Sequence, residues 1–363
     1  MQPAFYDPNI PYEENDSRGP ALLSQNLKPK LREITKKQKF LDFEVNLPFG
    51  IPSGPLLNSR FLKAAFEFGF DVNHYKTRRS IPFPVNQFPN VLFVDVDGDL
   101  TIEKAKKSVI GKKSTQKNPS DYTITNSFGN PSQKAEEWQH DMKKALTYEG
   151  DGQLLIASAV GTIQQGFSDE DYYNDFALTA RLANETGVKV IEVNLSCPNV
   201  ASEGILCYSP DAVEAICRKS KEAIGSTHLL AKAGYFSHDQ QEILEKILKK
   251  ILPFISGIAA INTIPAAVVD ERGNQALPGK GRLTSGICGA GIKWAGVDMV
   301  KRLSHLRDKL HADFAIIGVG GVMTPDDYLE YRAVGADCVQ SATGAMWNPY
   351  LAYEIWKREN NEA

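Results

Sequence analysis

The sequence has little that would support a disulfide framework or a metal centre. Its cysteines are odd in number and irregularly spaced, and no two form a Cys-x-x-Cys pair: Cys197, Cys207, Cys217, Cys288 and Cys338. Such a pattern disfavours disulfides, zinc sites and iron–sulfur ligation by this chain alone. We therefore predict no metal site and a reducing, cytoplasmic location.

Long apolar runs and a strong charge of one sign are also missing. No stretch approaches the ~18 consecutive apolar residues that a spanning helix needs, so we predict no membrane span. Residues 1–16 carry prolines and acids instead of a basic start followed by an apolar run, which predicts no signal peptide. The net charge of −3, from 41 basic and 44 acidic residues, gives no reason to expect nucleic acid as a partner.

One segment near the start is strongly basic. Residues 26–40 place apolar Leu27, Leu31 and Ile34 among several lysines and an arginine. We predict a solvated helix that leads into the fold, and a membrane-surface helix is the alternative.

From residue 41 onward, apolar runs of strand length alternate with helical stretches, as in a parallel sheet covered on both faces. The runs are residues 50–57, 71–76, 122–127, 154–161, 188–195, 228–233, 255–262, 314–320 and 336–342. The predicted helices between them include residues 168–187, 209–225, 237–252, 292–310 and 325–334. About eight such units, with no dinucleotide fingerprint after the first strand, predict an α/β fold of the (β/α)8 TIM-barrel type.

The predicted organisation is an N-terminal extension over residues 1–40 and a single barrel domain over residues 41–363. Two stretches interrupt the alternation, an insertion at about residues 79–121 and a second at residues 265–285. Inserted loops of this length are more often functional lids than idle linkers.

Polar side chains follow one predicted strand after another. Lys76, Asn126, Asn194 and Lys232 come at or just after strand ends, and so does the Asn262-Thr263 pair. A single asparagine at a strand end is usually a turn or a cap. Because barrel active sites form at the C-terminal ends of the strands, the repetition predicts that these side chains converge on one site.

Glycine-rich turns follow the last two strands. Gly320-Gly321 and Ala342-Thr343-Gly344 lie where barrels of this class commonly bind phosphate through backbone N–H groups. Gly286, ahead of a predicted helix, either adds donors to the same anion or only opens that helix.

The string Asn194-Leu-Ser-Cys197-Pro-Asn199 resembles the dihydroorotate dehydrogenase family, specifically its soluble class with a cysteine base. Further matches occur in order between residues 52 and 343. They are Pro52-Ser53-Gly54-Pro55, Lys76-Thr77, Asn126-Ser-Phe-Gly129-Asn130-Pro131, Lys232, Asn262-Thr263, Gly320-Gly321 and Thr343.

The resemblance implies an FMN cofactor and oxidation of dihydroorotate to orotate in pyrimidine biosynthesis. It implies that Cys197 removes the C5 proton while hydride leaves C6 for flavin N5, with Lys76 bridging flavin and substrate. The implied substrate-binding residues are Lys76, Asn126, Phe128, Gly129, Asn130, Asn194, Asn199, Asn262 and Thr263. The predicted cofactor-binding residues are Ser53, Gly54, Lys76, Asn194, Lys232, Gly286, Gly320, Gly321, Ala342 and Thr343.

The chain departs from the family pattern around the pyrimidine. Val200-Ala-Ser-Glu203-Gly204 replaces the usual continuation after the cysteine string, and Asn130 stands where leucine is common. A related oxidoreductase acting on uracil- or thymine-type rings is therefore an alternative, and a non-catalytic FMN-binding barrel is another. The expected partners are a small pyrimidine substrate, a second copy in a homodimer, and either a fumarate-like soluble electron acceptor or an electron-transfer subunit.

Overall fold

The computed structural model describes residues 2–196 and 208–360. Its strands are short, and they fall into a hairpin, a large parallel sheet and a smaller sheet. They are β1 (Gln38–Phe40), β2 (Phe43–Val45), β3 (Phe49–Gly50), β4 (Val72–His74), β5 (Phe93–Val94), β6 (Val109–Lys112), β7 (Thr123–Asn126), β8 (Leu154–Ala159), β9 (Val190–Asn194), β10 (His228–Ala233), β11 (Gly257–Ala260), β12 (Ile264–Val269), β13 (Thr284–Gly289), β14 (Ala315–Val319) and β15 (Cys338–Gln340).

The helices alternate with the strands of the large sheet. They are α1 (Tyr12–Arg18), α2 (Ser59–Glu67), α3 (Ile102–Ala105), α4 (Ala135–Leu146), α5 (Asp169–Asn184), α6 (Pro210–Ile224), α7 (Gln241–Ile251), α8 (Lys293–Lys309), α9 (Pro325–Ala333), α10 (Thr343–Trp347) and α11 (Leu351–Glu359). Short 3-10 turns lie at Ala21–Leu23, Pro119–Asp121, His238–Gln240 and Ala290–Ile292.

Helix ends follow local sequence signals. Ser168 caps α5 in a reciprocal capping box with Asp171, and Pro210 opens α6, which Gly225 ends at a φ of 62°. The helices predicted over residues 168–187, 209–225, 292–310 and 325–334 are confirmed within a few residues. The stretch 237–252 begins as a 3-10 turn and continues as α7.

Eight parallel strands form the predicted barrel, in the order β3, β15, β14, β11, β10, β9, β8 and β4. The first and last strands of this series meet through the backbone. The N–H of Asp71 donates to the carbonyl of Phe49, and the N–H of His74 donates to that of Ile51, each at 2.9 Å. The (β/α)8 fold class is thus confirmed.

The meeting of β3 and β4 requires glycine at position 50. A Cβ added to Gly50 would lie 1.7 Å from the carbonyl oxygen of Val72, far inside van der Waals contact. Because this oxygen belongs to the neighbouring strand, the clash could be relieved only by moving the two strands apart.

Two layers fill the inside of the barrel. The lower layer is apolar, and the β1–β2 hairpin adds Phe40 and Val45 to it from below; it also contains Val72, Ile156, Val190, Leu230, Ile317 and Cys338. The upper layer is polar and also buried: His74, Ser158, Glu192, Lys232 and Gln340. On each of these strands the residue of the upper layer follows the residue of the lower layer by two positions, because alternate residues of a strand point to the same face.

Both inserted stretches join one smaller closed sheet. Its order is β12, β13, β7, β5 and β6, with a parallel β6–β12 pair closing the ring and antiparallel pairs elsewhere. The run at residues 122–127, which the alternation had placed among the parallel strands, belongs here as β7. Its antiparallel partner β13 begins at the end of the second insertion, so the pattern of one chain segment alone could not reveal this pairing.

The N-terminal segment is part of the core, because Ala4, Phe5, Tyr6 and Tyr12 are buried with the main apolar cluster. The predicted domain boundary at residue 40 lies inside the β1–β2 hairpin.

The helix predicted over residues 26–40 is wrong. Residues 27–37 follow an irregular path with Pro29 inside it, and the arginine pairs with a buried acid, Arg32 Nη2 lying 2.9 Å from Asp71 Oδ2. Within the described ranges, no helix combines the length and the apolar character needed to cross a bilayer.

We predict that Gly50→Ala destabilises the protein by at least about 3 kcal/mol, because the methyl group overlaps backbone that cannot rotate away. Gly150→Ala is the matched control, since Gly150 is exposed and its added Cβ would meet only the end of the Gln153 side chain. Denaturant unfolding of both variants measures the difference. Equal midpoints for the two variants would contradict the close approach of β3 and β4.

Candidate active site

A cleft opens at the C-terminal ends of the barrel strands and contains ten of the predicted site residues. They come from the segments after β3, β11 and β15, from the end of β10, from the turn after β14 and from β7 of the smaller sheet. Its lining consists of Pro52, Ser53, Gly54, Asn126, Lys232, Asn262, Thr263, Cys288, Gly289, Ile292, Val319, Gly320, Gly321, Val322, Met323, Ala342 and Thr343.

Lys232 is the charged residue of this lining. Its side chain is 3% exposed, and its backbone pairs in register with Asn194 on one side and Ala259 on the other. It therefore rises from the polar layer of the barrel, with its neighbour Asn194 at the same height on β9.

Glu192 is the acid of that layer. Its Oε1 lies 3.4 Å from Nδ1 of His74, and Ser158 donates a hydrogen bond to the same oxygen at 3.3 Å. Thr77 and Ser158 lie within hydrogen-bond distance at 3.1 Å, which extends the network toward Lys76. Glu192 and His74 are both completely buried.

Charge pairing sets the ionisation of Glu192. Burial raises the pKa of this carboxyl, but the charges of His74 and Lys232 and hydrogen bonds from His74 and Ser158 outweigh burial and leave the pKa below its usual 4.5. The ionised acid lies beside His74 in the polar layer, and its charge also acts on Lys232.

The segment that contains Cys197, which we call the cysteine segment, directly follows β9. Asn194 Oδ1 accepts from the N–H of Ser196 at 3.2 Å, and Asn262 donates to the carbonyl oxygen of Ser196. Two predicted asparagines thus hold the residue before Cys197. Cys197 itself and Asn199 lie outside the described residues.

The predicted glycine turns have a packing role. Gly321 has a φ of +67°, and a Cβ there would lie 2.7 Å from the backbone nitrogen of Lys293, the first residue of α8. Gly320 has a φ of +127°, and its carbonyl accepts from the hydroxyl of Tyr331 at 2.6 Å. Both positions therefore need glycine, and both line the cleft beside Thr343.

Cys288 lies in the cleft although nothing in its sequence context predicts it. It follows Gly286 on β13, and β13 pairs Gly286 with Asn126. Burial raises the pKa of the Cys288 thiol to about 11, although Thr343 and Lys232 act in the opposite direction. Cys288 therefore keeps its proton as a thiol. Gly286, which was predicted to bind the cofactor, is not among the residues that line the cleft.

Residues 126–131, at the end of β7, include residues predicted to bind substrate, and for that prediction we call them the substrate loop. The ammonium of Lys76 lies 5.6 Å from the ring centre of Phe128, and the same ring packs edge-on against Tyr6 and Tyr12 of the N-terminal segment. Gly129 and Asn130 both have positive φ, at 82° and 51°.

Arginines hold this loop from two sides. Arg79 donates from Nε to the carbonyl of Asn130 at 3.1 Å, and Arg282 donates to the carbonyl of Ser127 at 3.1 Å. Neither arginine stands at a predicted strand end, so the positional argument did not find them.

Orphaned polar atoms point toward a ligand rich in polar groups. The hydroxyl oxygens of Ser53 and Thr263 are buried in the cleft and have no hydrogen-bond partner within the described part of the chain. Buried hydroxyls are normally satisfied, so a ligand that offers donors or acceptors fits these positions. Within residues 2–196 and 208–360, no group of three His, Cys, Asp or Glu side chains is arranged to hold a metal ion.

Comparison with known proteins gives one consistent family. The family model described as dihydroorotate dehydrogenase matches residues 113–361. Dihydroorotate dehydrogenase of Dictyostelium discoideum is 36% identical over 367 residues, which cover 98% of this chain and 97% of that protein. A Methanocaldococcus jannaschii protein named dihydroorotate dehydrogenase B (NAD(+)), catalytic subunit, is 28% identical over 65% of this chain and 70% of its own length.

Solved structures of the same fold include the Eimeria tenella DHODH in complex with ferulenol. It matches with a TM-score of 0.69 over 93% of this chain and 87% of that one, at 16% identity. At that identity the match supports the barrel fold alone.

We predict that Glu192→Gln destabilises the folded protein by about 3–5 kcal/mol at pH 7, because it removes the buried negative charge that acts on His74 and Lys232. The folded pKa of Glu192 is lowered, so its stabilisation is present above pH 4.5 and is lost as the pH falls below that value. Unfolding of wild type and variant at pH 4 and pH 7 measures this.

Glu170→Gln is the control for Glu192→Gln, since Glu170 pairs with Lys219 at the surface, and it should change stability by less than about 1 kcal/mol. A Glu192→Gln protein as stable as wild type at pH 7 would show that the negative charge of Glu192 does not stabilise the polar layer.

Proposed function

Because this chain belongs to the dihydroorotate dehydrogenase family, we propose that it oxidises dihydroorotate to orotate with FMN as its cofactor. The observation that carries the proposal is the cleft at the barrel mouth. It unites buried Lys232, the Asn262-Thr263 pair and the two glycine turns beside the start of the cysteine segment.

The residues that line the cleft suit the chemistry of FMN. We assign Gly320, Gly321, Ala342 and Thr343 to the phosphate, and Ser53 and Gly54 to the polar edge of the ring, where the Ser53 hydroxyl lacks a partner among the described residues. Gly286 pairs with Asn126 and Asn194 pairs with Lys232, so both lie beside residues of the cleft lining, and we assign them to the cofactor as well. When bound, FMN would supply the oxidant that accepts hydride from C6 of the substrate.

Lys232 has the electrostatic role in this proposal. Its ammonium would stabilise the negative charge that the ring gains on reduction. Lys76 would act between ring and substrate, since it lies over the Phe128 face of the substrate loop.

The pyrimidine would be held by amides. Asn126, Asn194, Asn199 and Asn262 each offer two donors and one acceptor, which suits a ring of alternating C=O and N–H groups, and Thr263 adds a hydroxyl. The main chain of Phe128, Gly129 and Asn130 would receive the substrate carboxylate.

Cys197 would be the base that removes the C5 proton. It follows Ser196, whose backbone N–H and carbonyl are hydrogen-bonded by Asn194 and Asn262, so the backbone before the thiol would be fixed in position. A thiolate is able to act here if nearby donors stabilise it. Cys288 is the poorer candidate, because its burial keeps the proton on sulfur.

The electron acceptor completes the cycle. We propose either a fumarate-like soluble oxidant or an electron-transfer subunit, with the chain acting in the cytoplasm as a homodimer. In this proposal residues 41–363 form one FMN-binding barrel, against which the N-terminal segment packs. The words "NAD(+)" and "catalytic subunit" form part of the name of the Methanocaldococcus jannaschii relative, which is a reason to test an electron-transfer subunit as the acceptor.

The test is anaerobic mixing of the purified protein with dihydroorotate, dihydrouracil and dihydrothymine. We expect yellow protein that releases FMN on denaturation and a flavin absorbance that bleaches fastest with dihydroorotate. Faster bleaching by dihydrouracil or dihydrothymine would favour the related dihydropyrimidine oxidoreductase. Bound FMN without bleaching would favour a non-catalytic barrel, and colourless protein that cannot be reconstituted would contradict the cofactor.

We predict that Cys197→Ser slows flavin reduction by dihydroorotate by about 10²–10⁴-fold, because a serine hydroxyl is a much weaker base than a thiolate. FMN binding should be unchanged. Cys207→Ser is the control, since it makes the same substitution ten positions later in the chain, and it should reduce at the wild-type rate. Stopped-flow absorbance measures all three proteins, and equal rates for Cys197→Ser and wild type would remove the base role from Cys197.

A further inference from the structure

Arg282 is a buried cation that connects both insertions to the substrate loop. Its side chain is buried, and its three nitrogens donate only to neutral oxygens. Nε and Nη2 contact the hydroxyl of Ser127 at 3.2 and 3.0 Å, and Nη2 also contacts the carbonyls of Ser127 and Pro89 at 3.1 Å. Nη1 donates to the carbonyls of Gln87 and Pro278 at 2.6 and 2.5 Å.

The charge of Arg282 has no counter-charge in the described parts of the chain. None of their carboxylates pairs with it, and burial, which lowers its pKa, is the one influence acting on that pKa. Buried Arg302 differs in this respect, since it pairs with Asp298 at 3.1 Å. Buried charges in proteins are usually paired or bind a ligand, so an anion that reaches this region would be stabilised.

Arg282 acts on the backbone that directly follows Asn126, a residue of the cleft lining. The carbonyl of Ser127 accepts from Arg282, from Asn90 at 3.1 Å and from Asn86 at 3.3 Å. Three donors on one carbonyl polarise the peptide group, which makes the N–H of the next residue, Phe128, a stronger donor. That N–H belongs to the main chain that we assign to the substrate carboxylate.

We propose that Arg282 is the specificity-determining residue that makes the substrate loop prefer a carboxylate-bearing dihydropyrimidine over one without a carboxylate. The inference rests on the proposed function, because it concerns the pyrimidine of the same cleft. Arg282 does not touch the ligand; it acts through Ser127 and through its own field, and is in this sense a positioning residue. The field of a unit charge at this depth changes the affinity for an anion by on the order of tenfold.

The experiment compares equilibrium binding of orotate and uracil to the FMN-loaded protein, followed by the flavin absorbance and by calorimetry. In Arg282→Gln we expect orotate to bind at least about tenfold more weakly while uracil binds as in wild type. Arg282→Lys keeps the charge and should recover most of the preference for orotate. Lys280→Gln removes a charge from an exposed neighbour and should leave both affinities unchanged.

Each outcome decides the matter. Equal weakening of both ligands in Arg282→Gln would show that Arg282 only shapes the loop, and an unchanged ratio would also overturn the inference. If Arg282→Gln does not fold, Gln87→Glu replaces it, because Gln87 is exposed and adjoins Arg282; selective loss of orotate supports the inference, and an unchanged ratio rejects it. If wild type binds neither ligand, the proposed function fails and the inference fails with it.

Discussion

The close approach of β3 and β4 is the constraint on which the rest of the site depends. Two backbone hydrogen bonds join these strands, and Gly50 permits them because any side chain there would strike the neighbouring carbonyl. Closing the sheet at this point turns eight strand ends toward one mouth. The segment after β3, which carries Ser53, thereby comes within one cleft with Lys232 and with the turns after β14 and β15.

Beneath that mouth, the barrel interior changes from apolar to charged within one pleat. Val190 and Leu230 fill the lower layer, whereas Glu192 and Lys232, two residues further along the same strands, occupy the upper one. Ionised Glu192 lies beside His74 within this layer, and Lys232, on which its charge also acts, lines the cleft. Because alternate residues of a strand point to the same face, one position of each strand contributes an apolar side chain to the core and the position two residues later contributes a polar side chain to the layer below the cleft.

Local patterns were sufficient for the barrel and for the residues at its strand ends. Capping residues such as Ser168 and Pro210 located helices closely, and Lys232 and Asn262 could be placed because parallel strands fix which end faces the mouth. The smaller sheet could not be predicted, since β7 pairs with a strand about 160 positions away. Arg282 was missed for the same reason: its role comes from contacts with distant carbonyls, and no spacing in the sequence reports them.

The pairing of β7 with β13 also has a consequence for the order in which the protein matures. The chain emerges from the ribosome N-terminus first, so the strand that carries Asn126 is exposed long before its partner at residues 284–289 exists. The substrate loop is therefore completed only when most of the barrel has been synthesised. Nascent chains stalled before residue 284 would contain β3 and β4, which meet at Gly50, but not the complete substrate loop. The ability to bind a ligand is therefore one of the last properties that the polypeptide acquires.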